Sequence, residues 1–409
     1  MMKSNVKQMI AILLAILLIP VAIPSVSAET LTQSPWISYE NAGNTATTAT
    51  EFGVEEGSLS LNCKSAFLME ANTGTVLYSQ NAEEALPPAS VTKIMTLVLI
   101  MEAIDSGTVR IDDTVAISAN AASMGGSQVY LKEGEQMRVE DLLKSVVIAS
   151  ANDAAVALAE HLAGSVGAFV EKMNDKATRL GMTSTHFENV TGLDDTAQNH
   201  LTSAHDIALM SKALIAHRDI LKYSSIWMDS IRDGQFTLTN TNRLVRFYQG
   251  CTGLKTGSTD KAGFCVSVTA ERNDLSLICV IMGAESGDIR NAAATELLDW
   301  GFANYELYRH ESAQTDPILV TGGTEDFCSA SYPRFVKVLP RGAGKTLEIE
   351  TTLCESLSAP IKKGDAVGHL SFSLNGKEIG SVGIFAERDI QKISLFEIFG
   401  RMLAKFLLI

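Results

Sequence analysis

Pro88-Ala-Ser-Val-Thr-Lys93 sets a serine and a lysine three residues apart at the head of a long apolar helical pattern. On a helix that spacing brings Ser90 and Lys93 onto one face, close enough to exchange a proton. A serine hydroxyl is a weak nucleophile until a base takes its proton. A lysine can be that base only if burial or a second cation lowers its pKa. Ile94 to Ile100 is apolar almost without break, which predicts a helix buried along most of its length. The pattern alone is not specific, because Ser4–Lys7 and Ser258–Lys261 repeat it.

Two other short runs could serve the same chemistry. Ser150-Ala-Asn152 supplies a hydroxyl and an amide at a break between two apolar helical runs, where side chains can project into a cleft. The same Ser-x-Asn spacing recurs at Ser60, Ser79, Ser118 and Ser373, so position rather than pattern singles out Ser150. Lys255-Thr-Gly257 occurs once, on a predicted strand. A cation followed by a hydroxyl on an edge strand suits a bound carboxylate, and Gly257 allows a substrate backbone to come close. Taken singly, these are a helix cap and a surface lysine.

The elements that must position these groups can be read from periodicity. Ser65–Glu70 and Thr75–Ser79 are strand-like runs joined by the Asn72-Thr-Gly74 turn, and this hairpin leads through Ala85–Pro88 to Ser90. Helical patterns cover Val139–Ala149, Ala154–Ala163, Gly167–Leu180 and Ser203–His217, with a loop over Thr183–Asp194. Thr252–Gly257, Gly263–Ala270 and Leu275–Met282 follow as strands, the last two joined by a turn at Glu271–Asp274, and a helix spans about 288 to 305. Strands at both ends and helices between them predict an α/β fold, with one antiparallel sheet split around an inserted helical region.

Residues 1–28 read as a secretory signal, with Lys3 and Lys7 before an apolar run and small residues at Val26-Ser27-Ala28; an uncleaved anchor is the other reading. Residues 29–60 form a polar spacer, 61–312 the main α/β domain and 313–389 a small all-β domain. In the terminal segment 390–409, Glu397, Arg401 and Lys405 make one polar stripe opposite Leu395, Phe396, Phe399, Met402, Leu403 and Phe406. The pattern over 393–409 makes ~25 Å of helix, short of the ~30 Å hydrocarbon core. An amphipathic helix lying on a membrane fits it, as does a helix packed on protein. The formal net charge of −14, with no basic block, argues against a nucleic-acid partner.

Ser-x-x-Lys, Ser-x-Asn and Lys-Thr-Gly in this order are the combination found in penicillin-binding proteins and serine β-lactamases. With their flanks, and with Gly126–Leu131, Gly181–Phe187 and Gly253–Gly263, they closely resemble the low-molecular-mass D-alanyl-D-alanine carboxypeptidases from about residue 60 to the C-terminus. The resemblance implies the β-lactamase/DD-peptidase fold and a substrate ending in D-Ala-D-Ala. It implies that Ser90 attacks the penultimate carbonyl, Lys93 takes its proton and Ser150 helps pass it to the leaving amine. Asn152 would bind the stem amide, Lys255 and Thr256 the terminal carboxylate, and the Ser90 and Ser258 N–H groups the oxyanion. Arg290, which precedes Leu297-Leu-Asp-Trp-Gly-Phe302 as the family's carboxylate-binding arginine does, joins this set.

The sequence departs from the family at Ser258, where relatives often carry histidine, and it lacks the Glu-x-x-Leu-Asn motif of efficient class A β-lactamases. The expected partners are peptidoglycan stem peptides, β-lactams as inhibitors and the membrane surface through the last helix, at the outer face of the cytoplasmic membrane. No cofactor is expected. Cys63, Cys251, Cys265, Cys279, Cys328 and Cys354 show no metal spacing; Cys265 and Cys279 are expected as buried thiols, and any disulfide pair is unassigned. Cys251, near the motif strand, is a candidate for reactivity. A D,D-endopeptidase with the same residues and a non-catalytic wall-binding protein are the competing functions.

Overall fold

The computed structural model describes residues 59–194 and 197–407; the expected secretory signal and all but the end of the spacer lie outside the described residues. Five antiparallel strands form the central sheet, in the order Val76–Gln80, Ser65–Glu70, Leu275–Ala284, Gly263–Arg272, Cys251–Thr259. The chain thus builds one sheet from both ends of the domain and leaves the Lys255 strand at an edge.

Both faces of this sheet are covered, which is why its strands read as nearly continuous apolar runs. Alternation sorts the side chains. Phe67, Met69, Cys265, Ile278 and Val280 join the core shared with the helical region, while Ala66, Leu68, Val266, Leu277 and Cys279 face the helix Gly287–Asn304. The helix Lys93–Asp105 lies inside the first core, with Ile94, Met95, Val98 and Ile100 almost wholly buried. Its burial follows from a sequence that leaves it no polar face. Helices Asn152–Ala163, Val166–Arg179 and Ala204–Ala216 pack against it, and Val139–Ile148 packs on the first of these.

A hairpin absent from the sequence expectation, Met228–Ile231 with Phe236–Thr239, also belongs to this region. Each strand has only four residues, and while Phe236–Thr239 alternates, Met228–Ile231 shows no apolar period to pair with it. Beyond Asn304, the strand Tyr305–His310 pairs with Phe335–Pro340, and a β-rich module follows whose larger sheet holds five strands. The stacked Phe335 and Phe372 rings, 3.9 Å apart, sit in its core. The helix Leu395–Leu407 closes the described chain.

Candidate active site

The segment before Ser90 is anchored by backbone pairing between Leu86 and Thr202. Ala89–Thr92 then make a single 3-10 turn, and the α-helix begins only at Lys93. Ser90 therefore stands on the turn just before the helix, not on its first turn as the periodicity suggests. Ala89 carries φ +51, a left-handed value that a non-glycine residue adopts only under constraint. The constraint is visible behind it. A Cβ on Gly192 would fall 1.8 Å from the Ala89 carbonyl oxygen, so the 183–202 loop presses its backbone directly on the turn.

Lys93 Nζ lies 2.9 Å from Ser90 Oγ and donates to the Thr191 carbonyl at 2.9 Å. Burial, and next the charge of Lys255, hold Lys93 well below the ordinary lysine value, while Asp153 opposes them. The Thr191 carbonyl is fixed in turn, because Asn189 Oδ1 accepts from the N–H groups of Thr191 and Gly192 at 3.1 and 2.7 Å. His200 Nδ1 accepts from the Glu188 N–H, so its Nε2 faces Thr92 Oγ1 as the protonated nitrogen, at 2.8 Å. Burial pushes His200 down to about 4 and keeps the ring neutral in that tautomer.

The second motif sits at the expected break. The helix Val139–Ile148 stops, Ser150 takes φ +61 in a buried position, and the chain turns into the helix Asn152–Ala163. Asn152 Nδ2 donates to the Gly125 carbonyl at 2.7 Å, while its buried Oδ1 has no partner. A buried acceptor left open is costly, and this one is free to take an N–H from a ligand. Asp153, which the sequence reading passed over, is wholly buried. Its carboxylate accepts from the N–H groups of Val129, Leu131 and Ala154 and so ties the 125–131 loop to the same bend.

The third motif faces the first across a very narrow gap. A Cβ on Gly257 would lie 2.7 Å from the Ser90 backbone nitrogen and 2.9 Å from that of Val91. Only glycine lets the edge strand run this close to the Ser90 turn. Lys255 is buried and donates to the Thr256 carbonyl at 2.9 Å; burial, then the Arg290 guanidinium, push it down to about 7. Thr256 Oγ1 donates to Thr241 Oγ1 at 2.8 Å, and Ser258 is exposed beyond Gly257. Arg290 reaches back from the first turn of its helix to Asn291 Oδ1 and the Cys265 carbonyl, and burial holds it below the usual guanidinium range. Lys255 thus lies in electrostatic reach of both Lys93 and Arg290, and with Lys93 held toward its neutral form, Lys255 and Arg290 are the cationic groups that favour an anion.

Other candidates separate from this group. All six cysteines are free thiols, with Cys265 and Cys279 buried as expected. Burial lifts Cys251 to about 11, which disfavours the reactive thiolate. The Glu188 carboxylate accepts from the N–H groups of Gln198 and Asn199 and is thereby engaged in holding the loop. Asp153, Asn189 and Thr191 are the supporting residues that sequence reasoning missed, since their polar partners lie on distant segments or on backbone atoms.

A serine on a tight turn, a buried lysine against it and a cationic edge strand opposite define a serine acyl-transfer hydrolase of the penicilloyl-serine-transferase class. Residues 50–286 match the family described as D-alanyl-D-alanine carboxypeptidase, and residues 306–392 match the penicillin-binding protein 5 C-terminal domain. The chain belongs to the D-alanyl-D-alanine carboxypeptidase family. It is 40% identical over 352 residues to D-alanyl-D-alanine carboxypeptidase DacF of Bacillus subtilis, covering 84% of this chain and 90% of that one. DacC of Escherichia coli is 35% identical over 82% of this chain and 86% of its own length. Penicillin-binding protein 5 from Haemophilus influenzae superposes with a TM-score of 0.72 at 29% identity, covering 81% of this chain and 98% of that structure. Penicillin-binding protein D2 from Listeria monocytogenes, solved in its ampicillin-bound form, matches at 32% identity with a TM-score of 0.55, over 60% of this chain and 99% of its own. The protein is a serine-type D-Ala-D-Ala carboxypeptidase of the cell wall.

Proposed function

We propose that Ser90, Lys93 and Ser150 carry the chemistry and that Asn152, Lys255, Thr256, Gly257, Ser258 and Arg290 bind the substrate. The observation that carries this reading is the 2.9 Å contact between Ser90 Oγ and the buried amine of Lys93. A neutral Lys93 accepts the Ser90 proton as Oγ bonds to the penultimate D-Ala carbonyl carbon. The Ser90 and Ser258 N–H groups hold the resulting oxyanion. When the C–N bond breaks, Ser150 helps return the proton to the departing D-Ala amine. Water then cleaves the ester and Ser90 regains its proton. Lys255, Thr256 and Arg290 hold the terminal carboxylate, and the open Asn152 Oδ1 takes an N–H of the stem. β-Lactams enter the same path and stop at the ester.

The test is mass spectrometry of the protein after penicillin treatment. A stable adduct on Ser90, together with loss of D-Ala release in a folded Ser90→Ala variant, is expected. Release at the parent rate from Ser90→Ala ends the assignment.

We further infer that the enzyme works at the outer face of the cytoplasmic membrane, held there by the helix Leu395–Leu407. Support comes from its apolar side chains: Leu395, Phe396, Phe399, Met402 and Phe406 are all exposed. Among the described residues no single helix is long and apolar enough to cross a membrane. A chain ending at Lys392 should partition to the soluble fraction, and persistent membrane binding by it would assign the anchor elsewhere.

A further inference from the structure

Glu83, His205 and Asp206 meet where the turn after the first hairpin touches the start of the helix Ala204–Ala216. One donor atom from each lies within 4.8 Å of the others. His205 Nδ1 is 3.0 Å from Glu83 Oε1 and 3.9 Å from Asp206 Oδ1. Donors around a tetrahedral ion with bonds of ~2.1 Å stand roughly 3.4 Å apart, so small side-chain rotations complete such a shell.

The second observation concerns Asp206 itself. The residue is wholly buried, and its Oδ2 accepts from the Ser184 N–H at 2.9 Å and Thr185 Oγ1 at 2.7 Å. Its Oδ1 is buried with no hydrogen-bond partner and lies on the side of His205 Nδ1. A carboxylate oxygen in that position needs a proton or a cation to offset its desolvation. The His205 ring packs edge-on against Phe67, centroids 5.3 Å apart, which fixes the direction of Nδ1. Glu83 is exposed, so an ion and a water ligand can enter from solvent.

We propose that Glu83, His205 and Asp206 form a mononuclear site for a divalent cation of the zinc class, with one position left to water. One imidazole and two carboxylates suit such a borderline ion better than calcium or magnesium, which take mostly oxygen donors in larger shells. The ion would join two segments that frame the nucleophile. Glu83 precedes Leu86, which pairs with Thr202, and Asp206 holds Ser184 and Thr185 at the head of the loop that carries Thr191. It touches no reacting atom and is a positioning element.

Calorimetric titration of the metal-free full chain with Zn2+ tests this. Saturable binding of one ion per chain is expected, with a rise in Tm. His205→Ala and Glu83→Gln should each weaken binding at least about tenfold, since even changes behind a metal's direct ligands cost roughly 10–100-fold. Asp206→Asn also disturbs Ser184 and Thr185, so the two milder variants carry the test, and thermal unfolding in metal-free buffer confirms that each is folded. Absence of stoichiometric binding in the parent overturns the proposal. So does a folded His205→Ala chain that binds Zn2+ as tightly as the parent.

Discussion

In its proposed carboxylate-binding role, Lys255 would serve binding at a cost to stability. Its pKa is about 7 in the folded protein, chiefly through burial and next through Arg290, against ~10.4 for lysine in an unfolded chain. Below pH 7 both states hold the proton and the folded state bears the whole cost of the buried charge. As pH rises toward the unfolded value, the folded state has shed a proton that the unfolded chain keeps, so stability increases. Lys255→Met should therefore raise Tm at pH 6 and raise it much less at pH 10, while abolishing D-Ala release. A gain in Tm that is flat with pH removes charge burial as the cause. The same pair of lysines shapes activity. The proposed mechanism needs Lys93 neutral and Lys255 charged, so kcat/KM should follow a bell in pH, with its falling limb near the Lys255 value in the free enzyme. Bound carboxylate favours the charged Lys255 and should move that limb upward in kcat. A falling limb that stays put in kcat argues against contact between Lys255 and the carboxylate.

The elements matter here through their spacing. The edge strand approaches the Ser90 turn so closely that a methyl group at Gly257 meets backbone atoms of Ser90, Val91 and Pro88, none of which can rotate away. Gly257→Ala should widen this gap and misplace the oxyanion donors, lowering kcat by about 10²-fold or more while the fold survives. Near-parent kcat from this variant would mean that the strand can shift freely. Asp153→Asn acts on another element, replacing a carboxylate that accepts from three backbone N–H groups. It should lower stability by about 2 kcal/mol and loosen the 125–131 loop, seen as faster amide exchange there; unchanged exchange would remove that role. These cases also mark where sequence reading ends. Ser90, Lys93 and Lys255 are legible because the chemistry needs those side chains at short fixed spacings, and the sheet is legible because its strands are apolar runs between turns. The acceptor for Lys93 is the carbonyl of Thr191, 98 residues away, and a backbone atom leaves no mark in the sequence. Asp153 looks like an ordinary first-turn acid until the fold lays three amides against it.

At the scale of the whole molecule, the terminal helix presents a problem of charge. The chain carries a net −14, so an anionic membrane surface would repel it, and the proposed membrane attachment would have to come from apolar contact. The helix is oriented for that. Ser394 Oγ accepts from the Glu397 N–H and Glu397 returns a bond to the Ser394 N–H, a reciprocal cap that fixes where the helix begins. Arg401 then pairs with Asp326 and donates to the Thr324 carbonyl, which turns the Arg401 side of the helix to the β module. Phe396, Phe399 and Phe406 are left facing outward, 91%, 65% and 87% exposed. Even partial burial of these rings in the interface contributes several kcal/mol, at about 1.5–3 kcal/mol for each fully buried side chain. Binding to vesicles should therefore persist as salt is raised, because screening weakens repulsion and leaves the apolar term in place. Phe396→Glu with Phe399→Glu should release the protein to the soluble fraction with its activity on a soluble D-Ala-D-Ala peptide unchanged, since neither ring touches a site residue. Release by salt alone, or continued binding with both glutamates present, would show that another surface holds the enzyme to the membrane.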